Sequence, residues 1–111
     1  MATFDTSQAL RANRAFIKKS MASKLLEADH ELALAHAWRD RGDRKALDEL
    51  TTAYFRLVVA VSARFKNYGL PMGDLMQEGV VGLMQAAARF EPERKLRFST
   101  YATWWIRAAI Q

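Results

Sequence analysis

The sequence predicts an all-α protein, a compact helical bundle of about four main helices, and three observations carry that reading. Only two prolines and five glycines occur in 111 residues, so little interrupts long regular segments. The period-two alternation of a half-buried strand is absent, whereas apolar residues recur at spacings of three and four over most of the chain. Half of the residues are apolar, enough for one core at this length and too few for two.

Residues 1–28 are basic and weakly periodic, and are expected to form a partly ordered arm in which Ala15-Phe16-Ile17 docks as a short turn or helix. A helix is expected from about Asp29, as N-cap, to Arg41, ending at Gly42. Leu34, Ala37, Trp38 and Arg41 mark one face, with Leu32 and Ala35 beside it and Trp38 as core anchor. His30 and His36 lie on different faces, which argues against a shared metal. Asp43 caps the next helix, expected to run unbroken over about residues 44–67. Leu47, Leu50, Tyr54, Leu57, Val58, Val61 and Phe65 recur along it, as in a helix central to a bundle. Gly69-Leu70-Pro71 reads as a turn. Asp74 opens the following helix, 74–90, with Asp74 and Gln77 spaced as a capping box.

That helix divides into three sectors. Leu75, Gly79, Gly82, Leu83, Ala86 and Phe90 form a core stripe, the glycines allowing close approach of a neighbour. Asp74, Gln77, Glu78, Val81 and Gln85 form a polar side. Met76, Val80, Met84 and Ala87 form a second apolar strip, which suits either docking of another protein's helix or burial between two layers.

A charged loop, Arg89 to Phe98, leads to the last helix, expected to start at Ser99 as N-cap. Ala102, Ile106, Ala109 and Ile110 fall on its inner stripe, and Thr100, Tyr101, Trp104, Arg107 and Gln111 on the opposite side. Phe98 and Trp105 sit near the border. Large flat rings facing outward beside Arg94, Lys95, Arg97 and Arg107 suit single-stranded nucleic acid, whose bases stack and whose phosphates need cations. The competing reading keeps both tryptophans in a core between layers. The chain stops at Ile110-Gln111 without a terminating residue, and a piece cut within or near its last helix is expected.

The net charge of +5 is uneven. Residues 25–55 are acidic in balance and residues 56–111 basic, which favours a polyanion partner for the second half and argues against indiscriminate DNA coating. No cysteine is present, so disulfides and thiolate metal sites are excluded. No apolar run approaches the length of a membrane span, and the expected protein is soluble and cytoplasmic, with no membrane partner. No cofactor is implied. Nothing in the sequence assembles a nucleophile, metal site or phosphate loop, so a binding module rather than an enzyme is expected.

Two stretches, Gly69-Leu70-Pro71-Met72-Gly73-Asp74-Leu75-Met76-Gln77-Glu78-Gly79 through Gly82-Leu83-Met84, and Arg97-Phe98-Ser99-Thr100-Tyr101-Ala102-Thr103-Trp104-Trp105-Ile106-Arg107, closely resemble the second conserved region of sigma-70 family transcription initiation factors. The resemblance covers about residues 53–111. The Tyr-Gly-Leu-Pro lead-in and the helix from His30 to Gly42 look most like the heat-shock (sigma-32-type) class, with residues 29–111 corresponding to regions 1.2 and 2.

The resemblance implies two surfaces. One, along Asp74–Met84, binds the clamp coiled coil of the largest catalytic subunit of core RNA polymerase. Asp74, Gln77, Glu78 and Met84 match contact positions there, Leu75 and Met76 lie within the segment, and Val80 replaces an asparagine-like contact by an apolar one. The other captures the non-template single strand of the minus-ten promoter element with one adenine flipped into a pocket. Phe90, Glu91, Arg94, Thr100 and Tyr101 match the pocket, and Trp104 and Trp105 match the wedge that replaces the lost stack. Lys95, Arg97, Phe98 and Arg107 belong to the same DNA surface, as do Ala108 and Gln111, which stand where housekeeping members read the upstream base pair with glutamine and threonine. The alternative from another class is a helical protein-interaction adaptor without DNA binding, its aromatic face taking a peptide helix.

Overall fold

The computed structural model describes residues 7–111. Among them are six α-helices: α1 (Ser7–Ala22), α2 (Ala28–Arg41), α3 (Arg44–Ala53), α4 (Phe55–Phe65), α5 (Met72–Arg89) and α6 (Phe98–Ile110). No strand occurs among the described residues, in keeping with the expected all-α class. The first six residues of the expected arm lie outside the described part. The rest of the arm is better ordered than its weak periodicity suggests, because α1 packs Phe16 against Phe55, their ring centroids 5.5 Å apart. Arg56 of α4 also donates to the carbonyls of Met21 and Ser23, where α1 ends.

Helix α2 begins at Ala28, one residue ahead of the expected cap, with Glu27 in the N-cap position and Asp29 in the first turn. It ends as expected at Gly42, which adopts φ 64°. The Gly42 and Asp43 amides then bond back to the carbonyls of Trp38 and Ala37, closing the helix in the left-handed manner that glycine permits. Asp43 caps α3, its carboxylate accepting from the amides of Lys45 and Ala46. His30 and His36 have separate partners, Glu49 and Asp40.

The long helix expected over 44–67 is two helices. The Thr51 hydroxyl donates to the carbonyls of both Leu47 and Asp48, which draws the helical ladder aside. The amide of Tyr54 then bonds only three residues back, to Thr51, and Tyr54 itself sits at φ −110°, ψ 11°. The break turns the Tyr54 ring into the core, 5.4 Å from Phe98.

Two more boundaries differ from expectation. Helix α5 starts at Met72, with Pro71 at its N-cap, so Asp74 lies inside the first turn rather than at a capping box. There its charge still favours the positive end of the helix dipole. Helix α6 starts at Phe98 with Arg97 in the N-cap position, so Ser99 is not the cap. The core is built around the α5–α6 contact. At Gly82 a Cβ would stand 2.6 Å from the Trp105 carbonyl oxygen and 2.9 Å from the Ala109 Cβ. At Gly79 it would stand 2.8 Å from Val58. Only glycine allows so close a crossing. Along α6 the expected inner stripe is buried at Ala102, Ile106 and Ile110.

Candidate nucleic-acid interface

The loop after α5 folds back so that the start of α6 lies beside the end of α5. Between them opens a cleft of about 310 Å³, lined by Arg89, Phe90, Glu91, Arg94, Leu96, Tyr101 and Trp104. Five of these seven, namely Phe90, Glu91, Arg94, Tyr101 and Trp104, are residues the sequence assigned to the DNA surface. The cleft is made of rings. Phe90 and Tyr101 stand 5.4 Å apart at 47°, and Tyr101 and Trp105 6.3 Å apart at 59°. Trp104 is 63% exposed at the rim. Glu91 and Arg94 form an ion pair of 2.5 Å at the rim, offering a carboxylate and a guanidinium beside stacking faces. A planar group with hydrogen-bonding edges fits such a cavity better than an aliphatic chain does.

The remaining expected DNA residues divide by position. Thr100, Lys95, Arg107, Ala108 and Gln111 are exposed, none of them in the cleft lining. Tyr101, Trp104, Ala108 and Gln111 recur at spacings of three and four, a stripe about 15 Å long running from the cleft to the end of α6. Trp105 is half-buried, with the Arg89 guanidinium 5.2 Å above its ring. That cation–π contact stiffens the ring, and the sequence pattern did not single it out.

Phe98 and Arg97 are corrections. Phe98 is 0% exposed and packs edge-on to Phe90, centroids 5.2 Å apart, so it is a core residue under the cleft and presents no face to a base. Arg97 is engaged by Glu31, with its Nε and Nη2 each 3.1 Å from a carboxylate oxygen. The phosphate role expected for Arg97 is thereby taken over by an internal ion pair.

Glu31 is the site residue that sequence reasoning passed over. It is 4% exposed on α2. Its carboxylate accepts from the Arg97 guanidinium, from the Tyr54 hydroxyl, and from the amide of Phe98 at 3.0 Å. Phe98 is the first residue of α6, so a carboxylate 67 residues away caps the aromatic helix and places a negative charge at its positive end. Burial pushes the Glu31 pKa up, but the bonds from Arg97, Tyr54 and the Phe98 amide outweigh it, leaving it below the ordinary carboxylate value. Burial, and then Glu31 itself, push the Tyr54 hydroxyl up to about 12. The hydrogen bond to Glu31 raises Arg97 further above its already high value. One signal was available: Glu31 stands three, four and seven residues before Leu34, Ala35 and Trp38, an acid on the inward stripe of α2.

The expected docking helix presents a narrower edge than its sequence suggests. Asp74, Gln77, Glu78 and Met84 are exposed and Val80 is half-buried. Leu75 and Met76 are inside the core, Met76 at 4% exposure, so neither is a surface contact. Ala87, of the same second strip, is buried as well. Met76 is covered because α1 lies along this side of α5, with Asn13 and Phe16 sharing a small cleft with Met76, Gln77 and Val80.

The chain is similar to known proteins over most of its length. The sequence model of Sigma-70 region 2 matches residues 50–111. An RNA polymerase sigma factor RpoH from Caulobacter vibrioides (strain NA1000 / CB15N) is 46% identical over 87 residues, covering 78% of this chain and 30% of that protein. RNA polymerase sigma factor RpoS from Coxiella burnetii is 48% identical over 87 residues, covering 78% and 24%. RNA polymerase sigma factor SigA from Synechocystis is 41% identical over 106 residues, covering 84% and 25%. The chain therefore belongs to the sigma-70 family, with residues 50–111 matching its region 2. It spans less than a third of the length of these relatives.

Proposed function

We propose that this chain is the promoter-opening part of a transcription initiation factor, acting by binding alone. It binds core RNA polymerase through the exposed edge of α5, held by the clamp coiled coil of the largest catalytic subunit. It captures the non-template strand of the minus-ten promoter element on α6. The observation that carries the second half is the ring-lined cleft with Trp104 exposed at its rim. A base turned out of the duplex enters the cleft against Tyr101 and Arg94, with the buried Phe90 ring packed on Tyr101 as part of its wall. Trp104 and Trp105 cover the neighbouring base pair that has lost its stack.

The energies are balanced. Extruding a base costs a few kcal/mol. Stacking returns about 1–3 kcal/mol per base. The isolated chain is therefore a weak strand binder and needs polymerase to hold it at the promoter. Arg94, Lys95 and Arg107 supply phosphate contacts. Its relatives named RpoH support assignment to the heat-shock class, with the cytoplasm as its compartment.

Replacing Trp104 and Trp105 together by alanine should slow promoter opening at least tenfold while core polymerase binding is unchanged. Permanganate footprinting of the promoter and a polymerase pull-down read the two quantities separately. Opening at the normal rate would mean that the rings take no part.

A further inference from the structure

The exposed edge of α5 is a convex ridge. From Asp74 through Gln77, Glu78, Val81, Met84 and Gln85 to Ala88 it is solvent-exposed, about 21 Å of helix. A ridge of this kind steers and orients a partner, and the crest itself seals no side chain from water; the small cleft on its N-terminal flank, at Gln77 and Val80, is already bounded by Asn13 and Phe16 of α1. Interfaces take most of their affinity from a few bulky anchors in desolvated pockets. Such a pocket adjoins the C-terminal end of the ridge. There α2, α3 and α5 enclose a cleft of about 450 Å³, lined by Trp38, Arg44, Leu47, Asp48, Thr51 and Met84. Met84 is 55% exposed and adaptable in shape, and the half-buried Trp38 ring is roofed by the Arg44 guanidinium at 5.9 Å.

We infer that this cleft is a second subsite of the polymerase-docking surface, taking one bulky apolar side chain from the same basic, amphipathic polymerase helix that lies along α5. The inference rests on the docking reading given above. Two features select that occupant. Met84 belongs both to the ridge and to the cleft wall, so one helix reaches both without a turn. The charges are distributed to match, with Asp74 and Glu78 along the ridge and Asp48 offset by Arg44 at the cleft, so the partner helix is basic where it follows the ridge and apolar where the anchor enters. Its anchor lies two to three turns from the base that meets Glu78, the distance from Glu78 to Ala88 being about 15 Å.

Ala88, exposed on the cleft rim, gives a clean test. Ala88→Trp fills the cleft from outside without disturbing the core. Ala63→Trp, at an exposed site on α4, controls for the added ring, and Glu78→Lys tests the ridge. Affinity of the labelled chain for core RNA polymerase is measured by anisotropy, with thermal melting as the check on folding. The expected result is a loss of at least tenfold for Ala88→Trp and for Glu78→Lys, and none for Ala63→Trp. Weakening by Glu78→Lys with Ala88→Trp unchanged or tighter overturns the subsite and leaves the ridge standing. No effect from either overturns both.

Discussion

The Glu31 carboxylate carries four hydrogen bonds' worth of responsibility for one helix start. Removing it leaves the Tyr54 hydroxyl and the Phe98 amide buried without an acceptor, at roughly 1–3 kcal/mol each. Glu31→Ala should therefore lower stability by about 3 kcal/mol, read by denaturant unfolding. Arg97 is partly solvated and adds little to that sum, its side chain being 48% exposed. The network also sets a pH dependence with two arms. Glu31 has a depressed folded pKa, so its contribution is present above the unfolded carboxylate value of 4.5 and is lost as pH falls through the folded one. Tyr54 has a raised pKa, so its contribution is present below pH 10.0 and is lost as pH rises toward about 12. Unfolding free energy measured across pH should fall on both sides, with Glu31→Gln flattening the acid arm and Tyr54→Phe the alkaline arm. The arginines separate by the same reasoning. For binding of a single-stranded promoter oligonucleotide, Arg94→Ala, Lys95→Ala and Arg107→Ala should each reduce the log–log salt slope by about 0.7. Arg97→Ala should leave the slope unchanged and lower the melting temperature instead.

At the scale of elements, the α5–α6 crossing depends on absent side chains. A methyl at Gly82 meets the Trp105 carbonyl oxygen at 2.6 Å, and backbone cannot swing aside as a side chain can. Gly82→Ala should push α6 away from α5, widen the ring-lined cleft, and cost about 2 kcal/mol. Melting and oligonucleotide anisotropy should both register the change. This crossing was legible from the chain, because two glycines three apart on an apolar stripe have few other uses. So were the cap at Asp43, the stop at Gly42 and the outward Trp104, each fixed by residues within a turn or two of one another. Two of the misses, at Phe98 and Met76, share one cause, which is a partner distant in sequence, whereas a third is local. The break at Tyr54 follows from a hydroxyl competing for carbonyls, at a position where the apolar spacing runs on undisturbed. Phe98 lies at the edge of its own helical wheel, yet Tyr54 and Phe90 close over it. Met76 looks available on α5 until α1 is laid beside it, and no periodicity within α5 announces that neighbour, whereas Leu75 falls on the core stripe that the spacing already marks.

Across the described residues, which measure 44 × 24 × 21 Å, one helix links the two proposed surfaces. The ridge of α5 faces the proposed polymerase helix, and its last residue, Arg89, with Phe90 just beyond it, forms a wall of the cleft that faces the proposed strand. From Asp74 to Arg89 that helix runs unbroken for about 22 Å, so the two surfaces are held on one element. The stretch matched by the family's sequence model starts at residue 50 and so leaves Glu31 out. Anyone transplanting that stretch alone into a chimera would carry every ring across and abandon the clasp that holds them in register. Such a graft will need α2 sewn on as well, and the yield of strand-competent hybrids with and without it is the number to count.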